Sequence, residues 1–238
     1  MGEPAKRLSR RPPKAVYRRG LAGGTDAKKM IIETFPVGLL ECNCTILGNE
    51  TTGEAIVIDP GDESSVILER LEKHGLTAKQ IVCTHTHIDH VGGIFDLQQR
   101  SGTPASIHKA DLFLFEKLDV QAQWIGLPVP KRGLIDSFVQ DGDAVACRGI
   151  EMGVLHTPGH TPGSATFHLA GDRNILFTGD TLFMQSIGRT DLWGGSHQEI
   201  IESIQKKLMN FDDDTLVIAG HGQSTTIGHE RRYNPFLK

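Results

Sequence analysis

From Met30 onward, apolar residues gather in short runs bounded by turn residues, a pattern of strands rather than of long helices. Residues 30–36, 43–48 and 54–59 read as strands, with Gly48-Asn49-Glu50 turning the chain between two of them. The run Ala55-Ile56-Val57-Ile58 stops at Asp59-Pro60-Gly61, which cannot continue a sheet. Over residues 63–74 the period changes: Ile67, Leu68 and Leu71 make one apolar stripe, and Gly75 suits the stop of a helix. Ile81-Val82-Cys83-Thr84 then reads as a short buried strand. A helix at about 91–100, a strand at 104–107 and a helix at about 109–118 follow. The second half repeats the alphabet, with strands near 150–155, 164–169 and 174–178, a helix at about 196–209 and a strand at 215–219. Each half is mostly strands and then helix, and each ends in a strand that delivers polar residues to a loop. That order predicts two sheets packed together with helices outside.

Composition sets bounds on this picture. The chain has 238 residues, 38% of them hydrophobic, and 27 glycines, which suits a globular protein with many turns and a sizeable core. No apolar run approaches the ~20 residues that span a bilayer, so no membrane partner is expected. The net charge of −4 hides an asymmetry: residues 1–29 carry nine Lys/Arg against two Asp/Glu, while the rest carry 16 against 27. The opening segment is basic, poor in aliphatics and cannot bury enough apolar surface to fold alone. It is expected to be a disordered extension, with an Arg-rich transit peptide or a nucleic-acid-binding arm as alternatives, and residues 30–238 are expected to form the folded domain. The acidic remainder would repel a phosphate backbone, so no nucleic-acid partner is expected either. Cys42, Cys44, Cys83 and Cys147 form no CxxC pair or disulfide framework, which points to a reducing, cytoplasmic compartment unless the basic segment targets an organelle. Cys42 and Cys44 read as small packing residues of a strand.

The stretch THTHIDH, residues 84–90, departs from all this by crowding three histidines and an aspartate together. At the end of a strand, His85 and His87 share a face; Asp89 and His90 follow where the chain turns towards a helix and can reach back into the same pocket. One tetrahedral ion rarely takes four ligands from so short a segment, whereas two neighbouring ions could divide them. Chance would produce this pattern in roughly one such chain in a thousand. Further candidate ligands lie in Gly-rich loops after strands: His160 in Thr157-Pro158-Gly159-His160-Thr161-Pro162-Gly163-Ser164, Asp180 in Thr178-Gly179-Asp180, and His221 in Gly220-His221-Gly222. His156 is a candidate support for the ligands. His74, His108, His168, His197 and His229 read as surface or structural residues.

In this order, HxHxDH, TPGHTPGS, TGD and GHG resemble the metallo-β-lactamase fold superfamily over residues 30–238. The resemblance implies an αββα sandwich with a metal site at one edge of the two sheets. It implies that His85, His87 and His160 hold one metal, that Asp89, His90 and His221 hold a second, and that Asp180 bridges both. Asp89 and Asp180 are then the catalytic carboxylates, with Asp89 orienting the hydroxide that two divalent ions generate from water. Ligands of nitrogen and oxygen without thiolate suit Zn first, with Fe or Mn as alternatives.

The segments 179–191 and 220–236 further resemble the glyoxalase II group, the hydroxyacylglutathione hydrolases, and especially its short single-domain members. That implies a small-molecule thioester as substrate, S-2-hydroxyacylglutathione first. A thiolate is a good enough leaving group to need no strong general acid. Arg189 stands at the family's basic substrate-gripping position, where it can meet a substrate carboxylate or pair with Asp191. Thr190-Asp191-Leu192-Trp193 replaces the expected aromatic pair, and only 17 residues follow His221, too few for the helical domain that grips glutathione, so a weaker hold on the carrier is expected. Two alternatives remain. Lactones or other esters could be the substrate. The persulfide dioxygenases, which use one iron on the positions of His85, His160 and Asp180, share much of the pattern but have an Asp where Gly222 stands here.

Overall fold

The structure is a computed structural model that describes residues 15–20 and 29–238, with the backbone alone for 15–20 and Lys29. In the first sheet, β1 (Ala15–Gly20), β2 (Lys29–Val37), β3 (Cys42–Asn49) and β4 (Glu54–Ile58) run antiparallel in sequence order. Helix α1 (Ser64–Lys73) carries the chain over to β5 (Thr77–Val82), which lies parallel to β4. Helices α2 (Ile88–Val91) and α3 (Ile94–Ser101) lead to β6 (Ala105–His108). A 3₁₀ turn, α4 (Leu112–Phe115) and α5 (Leu118–Ile125) lead to β7 (Ser137–Val139), and both strands extend the parallel part. The second sheet takes β8 (Ala144–Cys147), β9 (Ile150–His156), β10 (Ala165–Leu169) and β11 (Ile175–Gly179) as an antiparallel meander. A small ribbon, β12 (Leu182–Phe183) with β13 (Ser186–Ile187), precedes α6 (His197–Ser203), which runs on into a π-helical segment over Ile204–Leu208. Then β14 (Leu216–Ala219) joins β11 in parallel, β15 (Thr225–Thr226) closes the edge, and α7 (Ile227–Tyr233) follows.

Period-2 alternation decides which side each apolar residue serves. Ile31, Ile46, Val57 and Ile81 point to the layer of α1, α3 and α5. Their neighbours Ile32, Leu47, Ile56, Ile58 and Val82 point the other way and meet Met152, Val154, Phe167, Phe177 and Ile218 of the second sheet. On that sheet's far side Leu176 and Val217 pack with Ile200, Ile204, Leu208 and Ile227 of the α6–α7 layer. The result is the expected αββα sandwich, with the inter-sheet layer as its core. Each fully buried side chain of this size contributes about 1.5–3 kcal/mol.

Several expectations are corrected. Residues 15–20 are not a disordered tail: β1 pairs with β2 from Ala15↔Thr34 to Gly20↔Lys29, giving partners to edge backbone groups that would otherwise stand open. Residues 1–14 and 21–28, the rest of that expectation, lie outside the described residues. The single helix expected over 91–100 is two, broken at Gly92-Gly93. There the chain presses on the loop after β4: Gly93 N donates to Pro60 O at 2.9 Å, and a Cβ on Gly93 would stand 2.6 Å from that same oxygen. The expected helix at 109–118 extends as α5 to Ile125, and β7, β8 and α7 are short elements between stronger signals.

Candidate metal centre

The two sheets open at one edge, where the carboxyl ends of β4, β5, β11 and β14 lie side by side. Ligand sites of open α/β sheets form at such ends. After β5 the chain reaches His85 and His87 in extended form, and the first turn of α2 carries Asp89 and His90. The β9–β10 loop supplies His160, the end of β11 supplies Asp180, and the loop after β14 supplies His221. Asn43, at the start of β3, anchors that last loop: its backbone N donates to Gly220 O at 2.7 Å and its Nδ2 to Ala219 O at 2.9 Å.

These loops bring all seven sequence-predicted residues together. One nitrogen each from His85, His87 and His160 makes a group whose donor atoms lie within 4.8 Å of one another, and Asp89, His90 and His221 make a second such group. A third, His85, His90 and Asp180, joins the two. The carboxylate of Asp180 faces both sides, with Oδ1 3.4 Å from His90 Nε2 and Oδ2 3.6 Å from His160 Nε2. His221 Nε2 lies 3.1 Å from Asp89 Oδ2. His87 Nδ1 and His160 Nε2 stand 2.9 Å apart.

The outer ring nitrogens explain why the inner ones converge. Asp59, just past β4, takes Thr84 N at 2.7 Å on Oδ1, and on Oδ2 it takes Thr84 Oγ1 at 2.8 Å and His90 Nδ1 at 3.0 Å. With its hydroxyl proton given to Asp59, Thr84 Oγ1 accepts from His85 Nδ1 at 3.1 Å. His160 Nδ1 donates to the backbone O of Arg189 at 2.8 Å. With Nδ1 of His85, His90 and His160 engaged outwards, Nε2 is the ring nitrogen that each points into the cluster. His85 Nε2 and Asp180 Oδ1 are buried without a hydrogen-bond partner, which a native fold rarely tolerates at a site with no ligand to bind. Orphaned donor atoms, fixed lone pairs and hard N/O ligands without a thiolate all fit a divalent cation.

The charges agree. Burial holds the imidazole of His85 well below its usual pKa and brings that of His87 down to about 3, so both rings are neutral at pH 7, the form in which imidazole can ligate a cation. Burial likewise lowers His160. Burial works against a charge on His90 too, but Cys42 behind it and the carboxylates of Asp89, Asp180 and Asp59 raise it well above the ordinary imidazole value. Asp180 stays well below the ordinary carboxylate range despite its burial, because His90, His160 and His221 surround it. The cluster thus combines ionised Asp89 and Asp180 with neutral His85, His87 and His160, while those carboxylates favour positive charge on His90 and His221, the charge that a bound cation would supply instead.

Arg189 does not stand free. Its Nε and Nη2 bind Asp191 Oδ1 and Oδ2 at 2.7 and 2.8 Å, so the structure has the structural pairing of the two alternatives left open by the sequence. Its backbone oxygen, which orients His160, is the part that touches the cluster. His156 does not reach a ligand; its Nε2 lies 2.8 Å from Pro162 O and its ring stacks on His108. Cys42 is a buried packing residue 3.4 Å behind His90, its thiol pushed up to about 12 by burial.

Three supporting residues were not legible. Asp59 reads in sequence as part of a strand stop. Asp111 is fully buried and accepts from Thr86 N at 3.1 Å, Thr161 Oγ1 at 2.8 Å and Gly163 N at 2.5 Å, tying the His85 loop to the His160 loop. Gln121 of α5 accepts from Ile88 N at 2.9 Å and donates to Thr86 O at 3.2 Å. Nothing in the local sequence marks Asp111 or Gln121.

A family model described as the metallo-β-lactamase superfamily matches residues 37–221, a span that holds every residue of the cluster. The chain belongs to the metallo-β-lactamase superfamily. Within it, the chain is 42% identical over 210 residues to the hydroxyacylglutathione hydrolase GloC of Haemophilus influenzae, covering 87% of this chain and 98% of that protein. Among solved structures it is similar to the BLEG-1 B3 metallo-β-lactamase, with a TM-score of 0.80 and 33% identity over 87% of this chain and 99% of that one. It is also similar to TTHA1623 in a di-iron-bound form, with a TM-score of 0.75 and 36% identity over 85% and 98%. The superfamily's two mixed sheets and outer helices are those described above. Among the described residues no helix is long and apolar enough to cross a membrane.

Proposed function

We propose that this chain is a two-metal thioester hydrolase that cleaves S-2-hydroxyacylglutathione to the hydroxy acid and the thiol. The observation that carries the reading is the doubled donor set: His85, His87 and His160 on one side, Asp89, His90 and His221 on the other, and Asp180 between them. The identity to GloC supports the choice of thioester, and the di-iron neighbour supports a site for two ions. Zinc is the first expectation for such ligands, with iron or manganese as alternatives.

Divalent ions held by His85, His87 and His160 and by Asp89, His90 and His221, with Asp180 between them, would supply a nucleophilic hydroxide near neutral pH and polarise the thioester carbonyl. The chain's own residues do the rest. Asp59, Thr84 and the Arg189 carbonyl hold the imidazoles in the tautomer that ligates. Asp89 reaches the cluster from the first turn of α2, where its carboxylate would accept a hydrogen bond from the attacking oxygen and aim it at the carbonyl carbon. The C–S bond then breaks, and the thiol, with a pKa of about 8.5–9, leaves as thiolate without a strong general acid. The test is metal analysis of the purified protein beside assays of S-lactoylglutathione hydrolysis and of glutathione-persulfide-dependent oxygen uptake. The reading expects near two ions per chain and thioester cleavage. One tightly held iron with oxygen uptake would replace it by the dioxygenase that uses only the positions of His85, His160 and Asp180.

A further inference from the structure

The metal cluster opens into a cavity of about 370 Å³ whose wall, apart from the cluster, is mostly apolar. Leu40, Leu114, Trp124, Ile125, Leu192 and Trp193 line it. Its remaining polar side chains are Gln121 and Arg189. Gln121 spends its amide on Ile88 N, Thr86 O and Leu114 O, and Arg189 gives the Nε and Nη2 edge of its guanidinium to Asp191. Trp124 comes from α5 and Trp193 from the loop after Asp191. Their rings meet edge-on with centroids 4.0 Å apart and make one continuous aromatic wall. Yet Trp124 is 55% exposed and Trp193 36% exposed, and Leu40 and Ile125, which also line the cavity, are exposed to a similar degree. Large apolar side chains left in water around a catalytic cavity mark a surface that a ligand covers. A second cleft, of about 330 Å³, meets the first at Leu40, Ile88 and Asp89 and carries Asp62, Asp96 and Lys131 instead.

A thioester whose carbonyl sits at the cluster has two arms, and the two clefts differ in the arm they suit. We propose that the Trp124–Trp193 cleft is an acyl-group subsite selecting 2-hydroxyacyl thioesters with a bulky apolar or aromatic side chain over the methyl-bearing lactoyl group. This rests on the thioester reading above. The selecting force is apolar area withdrawn from water against two rigid rings.

The experiment compares S-mandeloylglutathione with S-lactoylglutathione on the full chain loaded with metal; the two differ by a phenyl ring in place of a methyl. The subsite predicts a kcat/KM at least about tenfold higher for the mandeloyl substrate, carried mainly by KM. Trp124→Ala and Trp193→Ala should each shrink that ratio towards one, and Trp124→Phe should keep most of it. A second readout does not need turnover. Trp124 and Trp193 are the two tryptophans of the sequence, so intrinsic tryptophan fluorescence reports on this cleft. Mandelate should perturb it at concentrations roughly tenfold below those at which lactate does. Equal kcat/KM for the two thioesters, or a ratio unchanged in both alanine variants, overturns the subsite and leaves the hydrolase reading standing. If neither thioester is cleaved but mandelate still perturbs the tryptophans, the hydrolase reading fails and the aromatic subsite stands. No fluorescence response to mandelate overturns the subsite whatever the substrate.

Discussion

At the scale of single residues, Asp59 carries the most weight for its size, since one carboxylate fixes His90 directly and His85 through Thr84. Asp59→Ala should weaken metal binding by about 10- to 100-fold, read by competition with a chelator of known affinity; unchanged affinity would mean that the ring tautomers are set by something else. Asp111 offers a pH test. Burial is the main cause that raises its carboxyl to about 6, against 3.8 for the free group, so the folded state binds its proton more tightly than the unfolded chain does. Its contribution to stability therefore falls as pH rises from about 4 to 6, by up to about 3 kcal/mol, and is level above that. Subtracting Asp111→Asn denaturation midpoints from those of the wild type across this range should show that slope; a flat difference would contradict it. Arg189→Ala should change KM only a few-fold, because its guanidinium is already spent on Asp191; a loss of about a hundredfold would mean that Arg189 leaves Asp191 to meet substrate. His85, His87, Asp89, His90, His160, Asp180 and His221 were legible in sequence because ligation restricts residue type and the Gly-rich loops flag close approach. Asp59 and Asp111 were not, since a lone Asp in a turn has many uses. Only the pairing of β4 with β5, and the meeting of two distant loops, reveals theirs.

At the scale of elements, the strands were legible where apolar runs are long and the boundaries blurred where tertiary contact overrides the period. The break between α2 and α3 is set by the β4 loop that Gly92 and Gly93 must touch, not by the apolar pattern of residues 88–101. The same closeness makes Gly220 irreplaceable: a Cβ there would run into Asp180 Oδ1 and His90 Cε1. Gly220→Ala should therefore remove metal from both sides of the cluster, read as metal content after gel filtration, while a variant that keeps its full metal content would show that the β14 loop can shift. Strand β1 makes the opposite case. Among the described residues it pairs with β2 alone, at the edge of the first sheet, while β11 and β14 belong to the second. A chain starting at Met30 should lose some thermal stability, keep cooperative unfolding and hold kcat within about twofold of the full chain. A non-cooperative melt would place part of the core's support in the removed residues.

At the scale of the whole molecule, two sheets pack through one apolar layer and leave their polar ends to build a site that neither could build alone. Residues 84–90 come from the first sheet, while His160, Asp180 and His221 come from the second. Metal binding should then clamp the sheets together, and a metal present at about 100 times its dissociation constant adds about 2.7 kcal/mol to folding stability. The layered αββα class was legible from the order of the predicted elements, whereas the apolar cleft at the mouth was not, because Leu40, Trp124 and Trp193 come from segments far apart in sequence. The central claim is that seven residues hold two ions that act together on a thioester. It is tested most directly by titrating the metal-free chain with zinc while following S-lactoylglutathione hydrolysis. Activity should climb to its plateau at about two equivalents per chain, and Asp180→Ala should lower the affinity of both. Full activity at one equivalent, or two bound ions with no cleavage of the thioester, would contradict it.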